Sequence, residues 1–499
     1  MNDVYVTSEE KSQVNTDDNK PVTVEKPRTK KDDIRENFGY FGIASLIYAI
    51  VYTVCLYKNL HGVGTTILMT ATFVYAYLML KKLGYTFSKK HIGYAVIGGL
   101  LAFNLMYTMD GWVLFVDYVA IIMVFVTGVL SVIYDNSELS FGESIMAVLE
   151  HIFGSLENVF ACVNDWRDYR KDGKKENSVY RSVFIGIIIS IPALILILIL
   201  LSSADIVFGD ITERIFGEIK MGTIIVISLM FVGSLFGSYA WLIHFVDKEK
   251  AVHKDKRNGD PTILITVGLI ISAVYLFFCG IQVVYLFAGL GELPNNYTYA
   301  EYAREGFFQL LVVCILNLLF VLMGLRLFKE KTLLKVVLTI ITGCTYIMIA
   351  SSAYRMALYI DVYSLSLLRI WVLWTLLWLT VILTGALINI YKNDFSLFKY
   401  SMIVTSFLYL SFAYAKPAYL VASYNLNDDL YNGAVDQEYL VDDLNEDAMP
   451  VIYRYIDDED YMERYMKSCD YDYRDEEKDY SFRQFNISRA VYEYYKDEI

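Results

Sequence analysis

The chain has 499 residues, of which 56% are hydrophobic and 20% charged, with a formal net charge of −13. A soluble chain of this length divides into domains with polar surfaces, but here the apolar residues fall in long, almost charge-free blocks, which excludes an ordinary soluble enzyme. The acidity belongs to residues 423–499, with 22 Asp and Glu against 8 Lys and Arg, so nucleic acid is not expected as a partner of that segment.

Residues 1–38 are polar and without hydrophobic periodicity, and read as a disordered tail rather than a cleavable signal peptide. Apolar blocks follow at about 39–57, 62–80, 92–109, 112–134, 182–201, 221–245, 262–290, 307–328, 336–353, 370–391 and 400–420. Each is close to the ~20 residues a helix needs to cross the hydrocarbon core. The expected fold is therefore all-α: a polytopic transmembrane bundle of about 11 helices over residues 39–422, followed by a small external domain at 423–499. Between the fourth and fifth blocks, residues 140–166 carry Ile145, Leu149, Ile152, Leu156 and Val163 at helical spacing, with Glu143, Glu150 and Glu157 between them. This pattern predicts an amphipathic helix at the inner membrane surface, packed on the bundle.

Lys and Arg placement orients these blocks. With the N-terminus inside, 28 of the 43 basic residues fall on the cytoplasmic side, including Lys81, Lys82, Lys89 and Lys90, and only seven fall outside before residue 423. Positive charge stays on the side from which the chain inserts. The expectation is a multi-pass plasma-membrane protein, N-terminus cytoplasmic and C-terminus extracytoplasmic.

Catalytic motifs are missing: there is no HExxH, GxSxG, P-loop or dinucleotide glycine run. The six cysteines form no CxxC pair, the five histidines share no motif, and no metal or cofactor is expected. Asp470, Asp472 and Asp475 have the look of a calcium loop, but Arg474 interrupts it and no glycine follows. Asn296 and Asn486 begin glycosylation sequons. More informative are the polar residues at outer helix ends. Asp117, Asp205, Glu301, Arg304, Arg355, Asp361 and Arg369 form a candidate outward-facing pocket. In it, three arginines could hold an anionic group such as a lipid phosphate. The bland alternative is that these charges pair with one another and fix the helices. Asn104, Gln282 and Asn317 lie deeper, where interhelical hydrogen bonds explain them.

From about Leu200 onward, ordered motifs accumulate. They are Leu201-Ser202-Ser203-Ala204-Asp205, Tyr285-Leu286-Phe287, Tyr299 to Phe308, and Tyr354-Arg355-Met356 through Tyr363 to Arg369. In the tail follow Asp447-Ala448-Met449-Pro450 and Phe485-Asn486-Ile487-Ser488-Arg489. In these the chain resembles a bacterial family of polytopic membrane proteins known only as a domain of unknown function (4153/4173 type). Ser364 and Ser366 stand where that family's pattern has Gly and Thr. The first 180 residues fit in hydropathy alone. The resemblance implies no activity, but it implies that the outer motifs and the tail belong to one design.

The tail contains 13 tyrosines, too aromatic for simple acidic disorder. Asn445 should precede a short helix through Ile452, and a second should run from Asp458 to Lys467. The expected function is a sensory or accessory component of the bacterial envelope, whose partners are membrane lipids and an envelope or membrane protein. The competing expectations are a lipid-phosphate enzyme with Asp117 or Asp205 as base, and a transporter.

Overall fold

The computed structural model describes residues 29–133, 141–171, 221–247, 259–284, 307–392, 394–427, 436–471 and 481–498, with single positions at 197, 201 and 430. The described residues are helical throughout. They begin with α1 (Lys30–Glu36), where Thr29 and Asp32 form a reciprocal capping box, and continue with α2 (Phe38–Leu56), α3 (Val63–Lys82), α4 (Lys89–Asn104) and α5 (Gly111–Ile133). The stretch expected to be a single amphipathic helix forms two, α6 (Phe141–Gly154) and α7 (Ala161–Lys171), separated by a 3-10 turn at Ser155–Asn158. Then come α8 (Met221–Asp247), α9 (Pro261–Gln282), α10 (Phe307–Leu327), α11 (Thr332–Tyr363), α12 (Leu367–Tyr391) and α13 (Leu397–Tyr414).

Eight of these, α2, α3, α5 and α8 to α12, are long and apolar enough to cross a membrane. α4 and α13 are apolar but shorter, at 16 and 18 residues. The expected fifth block, 182–201, lies almost wholly outside the described residues. α11 has 32 residues, about 48 Å at 1.5 Å per residue, so it projects well beyond a ~30 Å hydrocarbon core.

Two groups of helices make up the bundle. α2, α3 and α8 enclose one core, with Phe41, Tyr75, Met79 and Tyr239 buried; α9 to α12 enclose the other, around Cys314, Met348, Leu376 and Leu379. α4, α5 and α13 join the groups through Leu101, Val113, Ile121, Tyr409 and Ala413. Gly98 permits the close approach of α3 and α4: a Cβ there would lie 2.3 Å from the Phe73 ring.

After α13 the chain turns at Lys416 into α14 (Pro417–Asn425), then α15 (Gln437–Asp442), a 3-10 turn at Glu446–Ala448, α16 (Met449–Tyr455), α17 (Glu459–Tyr471), a 3-10 turn at Phe482–Gln484 and α18 (Ile487–Glu498). Asn445 caps its turn by accepting from Asp447 N at 3.1 Å, and Asp458 caps α17 by accepting from Asp460 N at 3.0 Å. The helix expected from Asp458 extends one turn further, to Tyr471. Leu440, Met449, Ile452, Tyr465 and Tyr492 form the apolar interior of these short helices, continuous with the α9–α12 core. The C-terminal domain is thus packed onto one end of the bundle.

Candidate functional site

The domain is fastened to the bundle by its two sequence motifs. Asp447 and Ser488, from motifs 41 residues apart, meet on the link between α4 and α5. Thr108 donates to Asp447 Oδ2 at 2.5 Å, and Met109 N donates to the same oxygen at 3.3 Å. Ser488 Oγ lies within hydrogen-bond reach of Asp447 Oδ1 and of the Tyr107 carbonyl. Asn486 donates to the Thr108 carbonyl at 3.0 Å, and Ile487 N donates to the Met106 carbonyl at 2.7 Å. The charge of Asp447, which has no exposure, is met by Lys416 at 3.2 Å.

Lys416 adopts φ 53°, in the left-handed region that side chains other than Gly rarely occupy,. Three contacts hold it there: the ion pair to Asp447, a 2.5 Å bond to Ser488 Oγ, and the Tyr107 ring 4.3 Å away. A serine, a lysine and a carboxylate in contact resemble a nucleophile with its base. Here, however, the lysine is engaged by Asp447 at 3.2 Å and Ser488 is only 1% exposed, so the cluster is placed to tie the domain to the bundle.

A second set of contacts ties the domain to the α2–α3 link. Val63 N donates to the Phe485 carbonyl at 2.9 Å and Asn59 Nδ2 to the Arg483 carbonyl at 2.9 Å. Gly62 makes this possible with φ 111°; a Cβ there would stand 2.9 Å from the Phe485 carbonyl oxygen. The sequon asparagine Asn486, 2% exposed and bonded on both sides, is a structural residue.

Between the docked domain and the bundle lies a cavity of about 970 Å³, lined by His61, Asp110, Trp112, Phe115, Trp371, Asp442, Asp443, Glu446, Cys469 and neighbours. Four carboxylates and three aromatic rings face it, and no Lys or Arg is among the described lining residues. Burial pushes the Asp110 carboxyl up, and the nearby Asp447 charge adds to this. Burial likewise pushes Glu446 up to about 7, although Arg489 at 3.2 Å draws it down. Burial lowers the His61 imidazole, leaving it neutral at pH 7,. Arg489 also binds Asp470 at 3.1 Å, and Lys496 binds Asp470 at 2.6 Å. Asp470, once a candidate calcium ligand, is therefore spent in ion pairs within the domain.

The residues expected to form an anion pocket are differently employed. Asp117 has no exposure and accepts from Asn104 at 2.7 Å and Tyr409 at 2.9 Å, tying α4, α5 and α13 together. Arg355 is buried and donates to Gln282 Oε1 at 3.3 Å, which also accepts from Ser351 at 2.7 Å. Arg369 donates to the carbonyls of Tyr363 (2.6 Å) and Ser364 and lies over the Tyr359 ring at 4.3 Å. Asp361 is exposed on the last turn of α11. Neither Arg355 nor Arg369 lines the cavity. Asp205, Glu301 and Arg304 lie outside the described residues.

Sequence reasoning overlooked Lys416, Thr108, Asp442 and Asp443. One signal was available for Lys416: a single lysine before Pro417 at the end of the last apolar block.

A model of the family described as a domain of unknown function, DUF4153, matches residues 95–455, from within α4 to the end of α16. The chain belongs to that family. The DUF4153 match thus takes in α5 to α7, which the motifs left to hydropathy, and stops short of Phe485 to Arg489. No curated protein and no solved structure matches the chain. What the family and the helices together establish is an all-helical, multi-pass membrane protein.

Proposed function

We propose that this DUF4153 protein is a sensory or accessory component of the bacterial cell envelope. It sits in the plasma membrane with its N-terminus in the cytoplasm and its C-terminal domain outside, and recognises a cationic, amine-bearing ligand in the cleft beneath that domain. One observation carries the reading: Asp110, Asp442, Asp443 and Glu446 line a single cavity beside Trp112, Phe115 and Trp371, with no Lys or Arg among the described lining residues. Carboxylates attract an ammonium group, and aromatic faces add cation–π attraction once it is desolvated. Trp112 is 70% exposed, free to close over a guest. The cleft's walls come from both the bundle and the domain, so occupancy reaches the membrane helices directly. The cytoplasmic placement of the N-terminus rests on the Lys and Arg bias.

The test is calorimetric titration of trilysine amide into the full chain in zwitterionic nanodiscs. Saturable binding should weaken at least tenfold in the Asp442→Asn, Asp443→Asn double variant. Equal affinity in both proteins, or no saturable binding by the wild type, would overturn the reading.

A further inference from the structure

At the opposite end of the bundle a second concavity has a different chemistry. It is a groove of about 280 Å³ between α3, α4 and α5, lined by Phe73, Ala76, Tyr77, Leu80, Phe87, Ala95, Phe125, Val129 and neighbours. Nearly all of its wall is apolar. The imidazole of His91 turns its nitrogens away: Nδ1 accepts from Ser88 N at 2.9 Å, so Nε2 carries the proton and reaches the Ser131 carbonyl at 3.1 Å,. Along α3 the groove runs from Phe73 to Leu80, roughly 10 Å at 1.5 Å per residue, about a third of a ~30 Å hydrocarbon core. Ending just before the basic last turn of α3, it opens at the membrane surface and reaches into one leaflet.

The surface end of the groove carries four lysines. Lys81 and Lys82 close α3, and Lys89 and Lys90 open α4. All four are exposed and none is ion-paired among the described residues. Lys81 Nζ is within 3.2 Å of the Tyr77 hydroxyl, on the groove's own wall. Lys89 and Lys90 directly follow Ser88, which also lines it. A cluster of exposed cations at the mouth of an apolar groove that reaches into one leaflet matches one kind of molecule at both ends. Basic pockets between membrane helices select anionic headgroups, while zwitterionic lipids gain little from such charge.

We propose that this groove is a binding site for an anionic phospholipid, with one acyl chain between α3, α4 and α5 and the headgroup phosphate on Lys81, Lys82, Lys89 and Lys90. The site is independent of the acidic, cation-binding cleft and lies on the other membrane face.

Native mass spectrometry of the full chain, released from nanodiscs containing equal phosphatidylglycerol and phosphatidylcholine, reads the occupancy. Wild type should retain phosphatidylglycerol in preference. With each surface lysine worth about fivefold in affinity for anionic lipid, the Lys89→Gln, Lys90→Gln variant should lose that preference by roughly tenfold or more. Ala95→Trp keeps every lysine and fills the groove from an exposed position; it should lose the retained lipid as well. Glycerol 3-phosphate, a headgroup without chains, should not displace the lipid. Unchanged preference in the lysine variant, unchanged retention in Ala95→Trp, or displacement by glycerol 3-phosphate would each overturn the proposal. The variants' circular dichroism and melting must match wild type for the comparison, and Lys89→Arg, Lys90→Arg, which retains charge, should restore the preference.

Discussion

Lys416 and Asp447, 31 residues apart and on different structural units, form a buried ion pair at 3.2 Å directly where the last long helix ends and the C-terminal domain begins. The pair shares its site with Thr108 of the α4–α5 link and Ser488 of α18. Four segments thus depend on one carboxylate.

Removing Lys416 should therefore cost more than the pair itself contributes. A Lys416→Met variant leaves Asp447 charged and buried, which costs about 3–5 kcal/mol. Adding Asp447→Asn should recover part of that loss. A double-mutant cycle by chemical denaturation in detergent should show coupling between the two positions, and strict additivity would mean the pair does not exist.

Glu446 sets a pH dependence of the domain. Its folded-state value of about 7 lies above the ordinary 4.5, so the folded domain holds a proton that the unfolded chain releases. Its contribution is fully present below 4.5 and is lost as pH rises through 7, amounting to about 2–3 kcal/mol. Asp470 acts in the opposite sense: burial raises it, but Lys496 and Arg489 together bring it below 3.8, and its contribution is lost only in strong acid. Melting of the domain between pH 5 and 8 should fall in wild type and fall less steeply in Glu446→Gln, where Asp110 and His61 still titrate.

Ser364 has φ 65° and ψ 176° at the end of α11, a conformation that glycine adopts without strain. Ser364→Gly should stabilise the protein by about 1 kcal/mol, read as a higher melting temperature. The backbone there is fixed by Asn425, which brackets Leu365 N and O at 2.8 Å each, and by the guanidinium of Arg369. Arg369→Lys should accordingly destabilise despite keeping the charge, because an ammonium cannot both reach the two carbonyls that Nη1 meets and lay a flat cationic face over the Tyr359 ring,.

Much of this arrangement was legible in the sequence, and the reasons are physical. Long apolar blocks have only one use in a chain of this size, so α2, α3, α5 and α8 to α12 could be read from hydropathy. Asn445 and Asp458 announced their helices because capping chemistry is local. Asn104, Gln282 and Asn317 were expected as interhelical hydrogen-bond residues, and each bonds across helices. The family pattern has Gly where Ser364 stands, and the backbone there takes the positive φ that Gly suits,. The site was harder, since which charges meet depends on long-range packing. Asp117 reads as a lone intramembrane acid until Tyr409, 292 residues later, is placed against it. Cys469 stood out as the only tail cysteine and so as a reporter of topology. It is buried and its thiol is pushed up to about 12 by burial, so it is a poor one. Asp457→Cys, exposed between α16 and α17, and Lys90→Cys on the opposite face are better placed. Impermeant maleimide on intact cells should label the first and spare the second.

Gly62→Ala should loosen the domain without touching any charge. The added Cβ meets the Phe485 carbonyl at 2.9 Å, at a φ of 111°. The expected result is faster proteolysis within 481–498 at unchanged helix content, checked by limited digestion and circular dichroism.

The bundle and the C-terminal domain form one body around the cleft. Hydrogen–deuterium exchange of the full chain in nanodiscs addresses it at two amides that bridge the units, Ile487 N to Met106 O at 2.7 Å and Val63 N to Phe485 O at 2.9 Å. Both should be strongly protected in wild type. Protection should fall at both together in Asp447→Ala, while amides within α11 stay unchanged. Rapid exchange at Ile487 and Val63 in the wild type would show a tethered, undocked domain and contradict the account.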